Sequence, residues 1–229
     1  LQMADEITAT FTSQNGVEEI TYTVLEYLSY FREHSKSFDE KTVTLAERLA
    51  DFGHYSQPFL AAYNNWTVGK EHAFMPCVHE ITEEDIAYVR EAVASYPDEQ
   101  SGVGEDKKIQ FSLAPRSKPA LVVYFTCKNL SGEVRAMVDG KYKAVAKTKN
   151  INNELESYYV RIENISAEDI NHYYEVRFRG GGEESIIRVS ALSYVQKELD
   201  PKTTHGRDGM EALTSFYLYY EALLAYLQQ

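Results

Sequence analysis

Apolar residues recur at steps of three and four near the end of the chain. Leu213, Phe216, Tyr217, Tyr220, Leu223, Leu224 and Leu227 fall on one stripe of a helix over 208–229, and such a stripe needs a partner surface. The pattern predicts that partner at 44–64, which matches at a constant offset: Glu47 with Glu211, Leu49 with Leu213, Phe52 with Phe216, Tyr55 with Tyr219, Leu60 with Leu224. Thr44 followed by Glu47 reads as a capping box opening this helix. Pro58 lacks an amide hydrogen and predicts a kink or a restart. Ahead of it, residues 6–11 and 19–23 alternate as strands around the turn residues 13–16, and Thr23 with Glu26 predicts a capped short helix over 24–33. These elements have a second copy 167 positions on (178 − 11): Phe11 with Phe178, Ile20 with Ile187, Leu25 with Leu192, Tyr27 with Tyr194. Thr23 becomes Ser190 and Thr44 becomes Asp208, all residues that can cap a helix. The chain therefore reads as an internal ββαα repeat.

Between the copies the period changes. Thr82 caps a predicted helix over 82–96, with acids at Glu83, Glu84 and Asp85 and a stripe of Ile86, Val89 and Val93 before Pro97. Residues 98–106, acidic and Gly-bearing, read as a mobile linker or exposed loop. From 108 to 179 the period is two, with strands expected at 109–113, 120–127, 133–138, 142–147, 157–163 and 174–178 and a tight hairpin turn at Asp139-Gly140. Short strands so spaced suggest a sandwich. The fold class expected is α+β: an antiparallel β-sandwich (104–188) packed against helices from both chain ends (1–97 and 189–229), in one module spanning 1–229.

Composition narrows the function more than it defines it. The 229 residues carry 23 basic and 35 acidic side chains, a net charge of −12, which repels phosphate backbones and anionic lipid within a Debye length of about 8 Å. Nucleic acid is thereby a poor partner. No apolar run reaches the length of a membrane span, so no membrane insertion is expected. Eighteen Tyr against one Trp suits wet recognition faces as well as cores, because the ring buries while the hydroxyl stays hydrated. Cys77 and Cys127 either join, restricting the unfolded chain by roughly 4 kcal/mol, or remain buried thiols. With no signal-type segment at Leu1 and a helix running to Gln229, the chain reads as a module cut from a larger polypeptide.

The segment Phe52-Gly53-His54-Tyr55-Ser56-Gln57-Pro58-Phe59 followed by Tyr63-Asn64-Asn65 resembles one common in repeat-bearing surface and secreted proteins of gut Firmicutes. Tyr158-Tyr159-Val160-Arg161-Ile162-Glu163-Asn164-Ile165 with Ala167-Glu168-Asp169-Ile170 resembles that family's middle motif. Its closing motif corresponds to the Ser190 to Tyr194 helix and the Leu- and Tyr-rich stretch from Ala212 to Tyr226. Pro58, and the insert between Thr67 and Glu84 with its Cys77, depart from the pattern. Such modules are similar to C-terminal accessory domains beside leucine-rich repeats, fibronectin-like domains or dockerins. The resemblance implies an extracellular or cell-surface, non-catalytic role in adhesion or carbohydrate binding, with other domains of a larger polypeptide and a polysaccharide or host glycan as partners.

Candidate chemistry is sparse. Glu71, His72, Cys77, His79 and Glu80 supply ligand types for a metal, but irregular spacing closes no four-ligand shell, and no cofactor is expected. Acid pairs such as Asp98-Glu99 and Glu105-Asp106 sit in solvated stretches, whereas glycosidic cleavage needs one acid of raised pKa. Gly180-Gly181-Gly182 lacks the Lys-Ser/Thr of a phosphate loop and reads as a turn. The strongest recognition candidate is Trp66 with Tyr63, Asn64 and Asn65, because sugar rings stack on aromatic faces while amides satisfy hydroxyls. The competing reading makes Trp66 part of the helical core. Outward members of the pairs Tyr158-Tyr159 and Tyr173-Tyr174 form a second potential sugar face. The expected function is a non-catalytic extracellular binding module, with a glycan-processing or metal-dependent enzyme domain and a structural spacer as the alternatives.

Overall fold

The computed structural model describes residues 6–14, 16–64, 77–114, 120–128, 133–148, 155–180, 182–203 and 206–228, with the backbone path alone over 58–64. In chain order these form β1 (Glu6–Ser13), β2 (Gly16–Thr23), α1 (Val24–Glu33), α2 (Glu40–Asn64), α3 (Glu83–Val93), β3 (Glu99–Ser101), β4 (Lys107–Ala114), β5 (Ala120–Lys128), β6 (Arg135–Val138), β7 (Lys141–Lys143), β8 (Ala146–Lys147), β9 (Leu155–Glu163), β10 (Tyr174–Gly180), β11 (Glu183–Val189), α4 (Ala191–Glu198) and α5 (Arg207–Leu227). The class is α+β, with every strand pair antiparallel. The chain divides into two compact units, 1–89 with 204–229 and 90–203. The division places α4 with the strands and falls within α3.

The 90–203 unit is the sandwich. Five strands in the order β3-β11-β10-β6-β7 form one sheet and four in the order β4-β5-β9-β8 form the other. Period-two alternation turns Val176, Phe178, Ile187 and Val189 of the first sheet, and Ile109, Phe111, Leu121, Val123, Phe125 and Val160 of the second, into one core. Phe125 and Phe178 stack across it with centroids 5.1 Å apart. Each such buried side chain contributes roughly 1.5–3 kcal/mol before ordering entropy. The β6–β7 turn puts Asp139 at φ 49° and Gly140 at φ 76°, the two left-handed positions a tight hairpin demands. Tyr194 of α4 meets the edge of Phe111.

In the 1–89/204–229 unit, α2 and α5 pack along each other and α1 lays Leu28 against Ala46 and Ala50 of α2. Phe52 reaches Phe216 and Tyr219 of α5, while Tyr55, its phenol pushed up mainly by burial, lies near enough to Glu211 to feel that carboxylate as well. Advancing along α2 thus means retreating along α5, so the pair is antiparallel.

The repeat is present in the elements themselves: β1-β2-α1-α2 and β10-β11-α4-α5. Both hairpins lead into a helix through a reciprocal cap. Glu26 N donates to Thr23 Oγ1 at 3.0 Å and Thr23 N to Glu26 Oε2 at 2.8 Å. Ser193 N donates to Ser190 Oγ at 3.0 Å and Ser190 N to Ser193 Oγ at 3.1 Å. Thr82 and Asp85 form a third such pair at the start of α3.

Five expectations are corrected. Thr44 lies inside α2, because Asp39 caps the helix earlier: Thr42 N donates to its Oδ1 at 3.0 Å. Asp208 is likewise inside α5, whose cap is Gly206. Pro58 does not divide α2, which runs as one element to Asn64; one missing ladder bond is a local loss, and packing along α5 offsets it. Residues 98–106 are exposed as expected from residue 99 on, but not all loop: 99–101 form β3, an edge strand on β11 through Gln100 and Ile187. The expected strand over 142–147 is two: β7 pairs with β6 in one sheet and β8 with β9 in the other, so the chain crosses the sandwich at Ala144 and Val145.

Candidate functional site

The proposed platform residues give no geometry to build on. Asn65 and Trp66 lie outside the described residues, and Tyr63 and Asn64 close α2 with only their backbone described. Of the metal-like cluster, Glu71 and His72 also lie outside. Cys77, His79 and Glu80 belong to a segment held on the helices rather than gathered round an ion, and among the described residues no three His, Cys, Asp or Glu side chains converge on a metal position. Asp51, with 1% of its side chain exposed, takes Val78 N at 2.6 Å and His79 N at 3.0 Å on Oδ1, and His79 Nδ1–H at 2.8 Å on Oδ2. Tyr55 receives Ile81 N at 2.9 Å on its hydroxyl. Arg207 of α5 donates to Ile81 O at 3.0 Å and pairs with Glu83. A buried carboxylate so saturated with donors is a fastener for the 77–82 segment. Cys77 and Cys127 are both free thiols, and burial pushes the Cys127 thiol up, which makes it inert.

The tyrosine pairs alternate as expected. Tyr158 and Tyr174 pack on the sandwich core. Their neighbours are already occupied: Tyr159 meets Tyr124, and Tyr173 stacks on Tyr96 under the Arg188 guanidinium and donates to Pro97 O.

The open surface lies elsewhere, on the outer face of the five-stranded sheet. Cross-strand register aligns Tyr142 of β7, Met137 of β6 and Arg177 of β10 in one row. Arg135, Arg179 and Glu184 form the next row. Tyr142 is 69% exposed, the most open large apolar side chain among the described residues. Beside it is a cleft of about 260 Å³ lined by Glu133, Arg135, Met137, Tyr142, Arg177 and Arg179. That volume is below the roughly 300–1,000 Å³ of sites that enclose drug-sized ligands, so the cleft fits one ring and not an engulfed substrate. Arg179 Nε donates to Glu184 Oε1 at 2.7 Å and Arg177 Nη1 to Glu184 Oε2 at 3.2 Å. Arg177 Nε also donates to Glu175 at 2.6 Å, fixing both guanidinium planes.

Electrostatics decide what this face can do. The Arg179 guanidinium beside Glu184, and then Arg177, hold its carboxyl below the usual carboxylate range. A general acid needs the opposite shift. The row supplies an exposed ring, fixed planar donors and ionised acceptors, which is binding chemistry. Alternation alone places Tyr142 at a strand start and gives no reason to single it out. The available signal is the tight Asp139-Gly140 turn, which sets Tyr142 opposite Met137 once the register is drawn. Among the described residues no helix is long and apolar enough to cross a membrane. No protein-family model, curated protein or solved structure matches the chain.

Proposed function

We propose that the chain is a non-catalytic binding module of an extracellular or cell-surface protein, and that it takes carbohydrate on the outer face of the five-stranded sheet. The observation that supports this reading is the cross-strand row Tyr142–Met137–Arg177, with Arg135, Arg179 and Glu184 alongside. A sugar presents C–H groups on one ring face and hydroxyls around its rim. Tyr142 offers a surface for the first, while Arg and Glu in fixed planes offer paired donors and acceptors for the second. A cleft of about 260 Å³ takes one sugar ring at a time. Arg135, Arg177 and Arg179 are matched by the carboxylates of Glu133, Glu175 and Glu184, so the face is charge-balanced and suits the hydroxyls of a neutral sugar.

The test is retention on neutral and uronic-acid polysaccharides by affinity electrophoresis, with melting temperature measured alongside. Tyr142→Ala should keep its melting temperature and bind about tenfold more weakly, the equivalent of about 1.4 kcal/mol. Arg179→Ala should also weaken retention on the neutral polysaccharide, because it removes a fixed donor and frees Glu184. Unaltered retention of Tyr142→Ala defeats this assignment. A loss confined to Trp66→Ala moves the platform to the segment after α2.

A further inference from the structure

Two hairpins of one design have opposite surroundings in this chain. Ile7–Tyr22, Ala9–Ile20 and Phe11–Glu18 are the cross-strand pairs of β1–β2, and the same pairs recur in β10–β11 as Tyr174–Val189, Val176–Ile187 and Phe178–Ser185. In the second hairpin β3 flanks β11, β6 flanks β10, and Val176, Phe178, Ile187 and Val189 are wholly buried. In the first, β1 and β2 pair only with each other among the described residues, and Phe11, Ile20 and Tyr22 are 57%, 54% and 38% exposed. The following helices repeat the contrast. Tyr194 of α4 meets the edge of Phe111 and Lys197 Nζ lies 4.8 Å above the same ring. Their counterparts Tyr27 and Tyr30 of α1 are 56% and 51% exposed.

Five open side chains thus occupy the positions that meet a sandwich in the other copy. A two-stranded ribbon is marginal by itself in water, and a contiguous apolar face of this kind marks an interface. We propose that β1, β2 and α1 complete a second β-sandwich whose remaining strands lie upstream of Leu1 in the same polypeptide, as β3 to β9 lie upstream of β10. The sandwich of 90–203 already holds its own hairpin, so a further copy of this chain offers no vacant place. Chain order names the source: β10 follows its sandwich strands in the chain, and the repeat assigns β1 the equivalent place after strands of its own. The upstream sheet then supplies edge strands on both sides of the hairpin, an aromatic ring under Tyr27 and Tyr30, and a bulkier side chain opposite Ala9 than the one opposite Val176.

Amide hydrogen exchange on this chain and on the polypeptide extended upstream by one repeat tests this without any substitution. The β1–β2 amides should exchange freely in the first and slow by about a hundredfold or more in the second, as amides do on joining a cooperative core. Equal exchange in the two, or an upstream segment without strands, overturns the proposal. So does a dimer of this chain in light scattering that Phe11→Asp converts to monomer, because the occupant is then a second copy. In the extended polypeptide, Phe11→Asp should lower the melting transition of the upstream unit and leave that of 90–203 in place; no change in either overturns it as well.

Discussion

Phe52 of α2 and Phe216 of α5 meet with ring centroids 5.5 Å apart, and they are the same position of the internal repeat. Two copies of one helix that touch through a shared residue, running antiparallel, are related by an approximate two-fold at the point of contact. Phe52 also stacks on Tyr219 at 5.9 Å, so this crossing is aromatic on both sides. A double-mutant cycle of Phe52→Leu with Phe216→Leu should return a coupling of about 1 kcal/mol, the usual worth of an aromatic pair beyond its buried area. Strictly additive losses in urea unfolding would mean that the rings only fill space.

Asp51 is the fastener of the 77–82 segment. Asp51→Ala leaves the amides of Val78 and His79 and the His79 ring without their acceptor; these donors are half-buried or exposed and can turn to water, so the loss should be about 2 kcal/mol, that of hydrogen bonds to a charged group. Urea unfolding reads that loss. The sandwich unit of 90–203 should keep its stability, which amide hydrogen exchange of its strands can follow separately.

Gly102 tolerates no side chain. Its φ is +67°, and a Cβ there would sit 2.2 Å from the carbonyl oxygen of Glu184, while its own carbonyl receives the Ser185 hydroxyl at 2.6 Å. Gly102→Ala combines left-handed strain with a backbone collision and should destabilise the sandwich by more than about 2 kcal/mol. Gly104→Ala meets nothing within 4 Å and serves as the matched control.

Acid should loosen two carboxylate clusters, one at Glu184 on the five-stranded sheet and one at Glu156 on the four-stranded sheet. The Glu184 pKa is lowered by Arg179 and Arg177, and that of Glu156 by Lys147 and Tyr158. A depressed carboxyl contributes stability that is present above its unfolded pKa of about 4.3 and is lost as pH falls through the lower folded value. Glu184→Gln should flatten the decline of melting temperature below about pH 4.3. An unchanged slope would show that the Arg–Glu lattice is thermodynamically idle.

Alkali acts through two phenols. Burial, with Cys77 beside it, pushes Tyr55 up to about 12, and burial followed by donation to Glu156 does the same for Tyr158. A raised phenol stabilises fully below the unfolded pKa of about 10, and the contribution is lost as pH climbs to the folded value. Phenolate absorbance at high pH should show a late-titrating class, diminished in Tyr55→Phe and in Tyr158→Phe.

Much of this architecture is written in short-range pattern. The caps at Thr23, Ser190 and Thr82 each need only a residue and its neighbour three positions on. The Asp139-Gly140 turn needs only two residues that accept positive φ. The repeat is visible because equivalent side chains keep their spacing. Thr44 shows the limit of the same logic: a capping signature is permissive, and Asp39 starts the helix a turn earlier.

What the sequence by itself determined is therefore the local geometry: which stretches are strand or helix, where most of them begin, and that one set of four elements occurs twice. Tertiary structure alone decided the neighbours. It set β7 and β8 in different sheets, brought Asp51 to a segment more than two dozen residues away, and opened Tyr142 beside a cleft. It also buried Phe178 while leaving Phe11 in solvent. Alternation along a strand specifies which face is apolar, but burial requires a second surface, and that surface is made by residues distant in the chain.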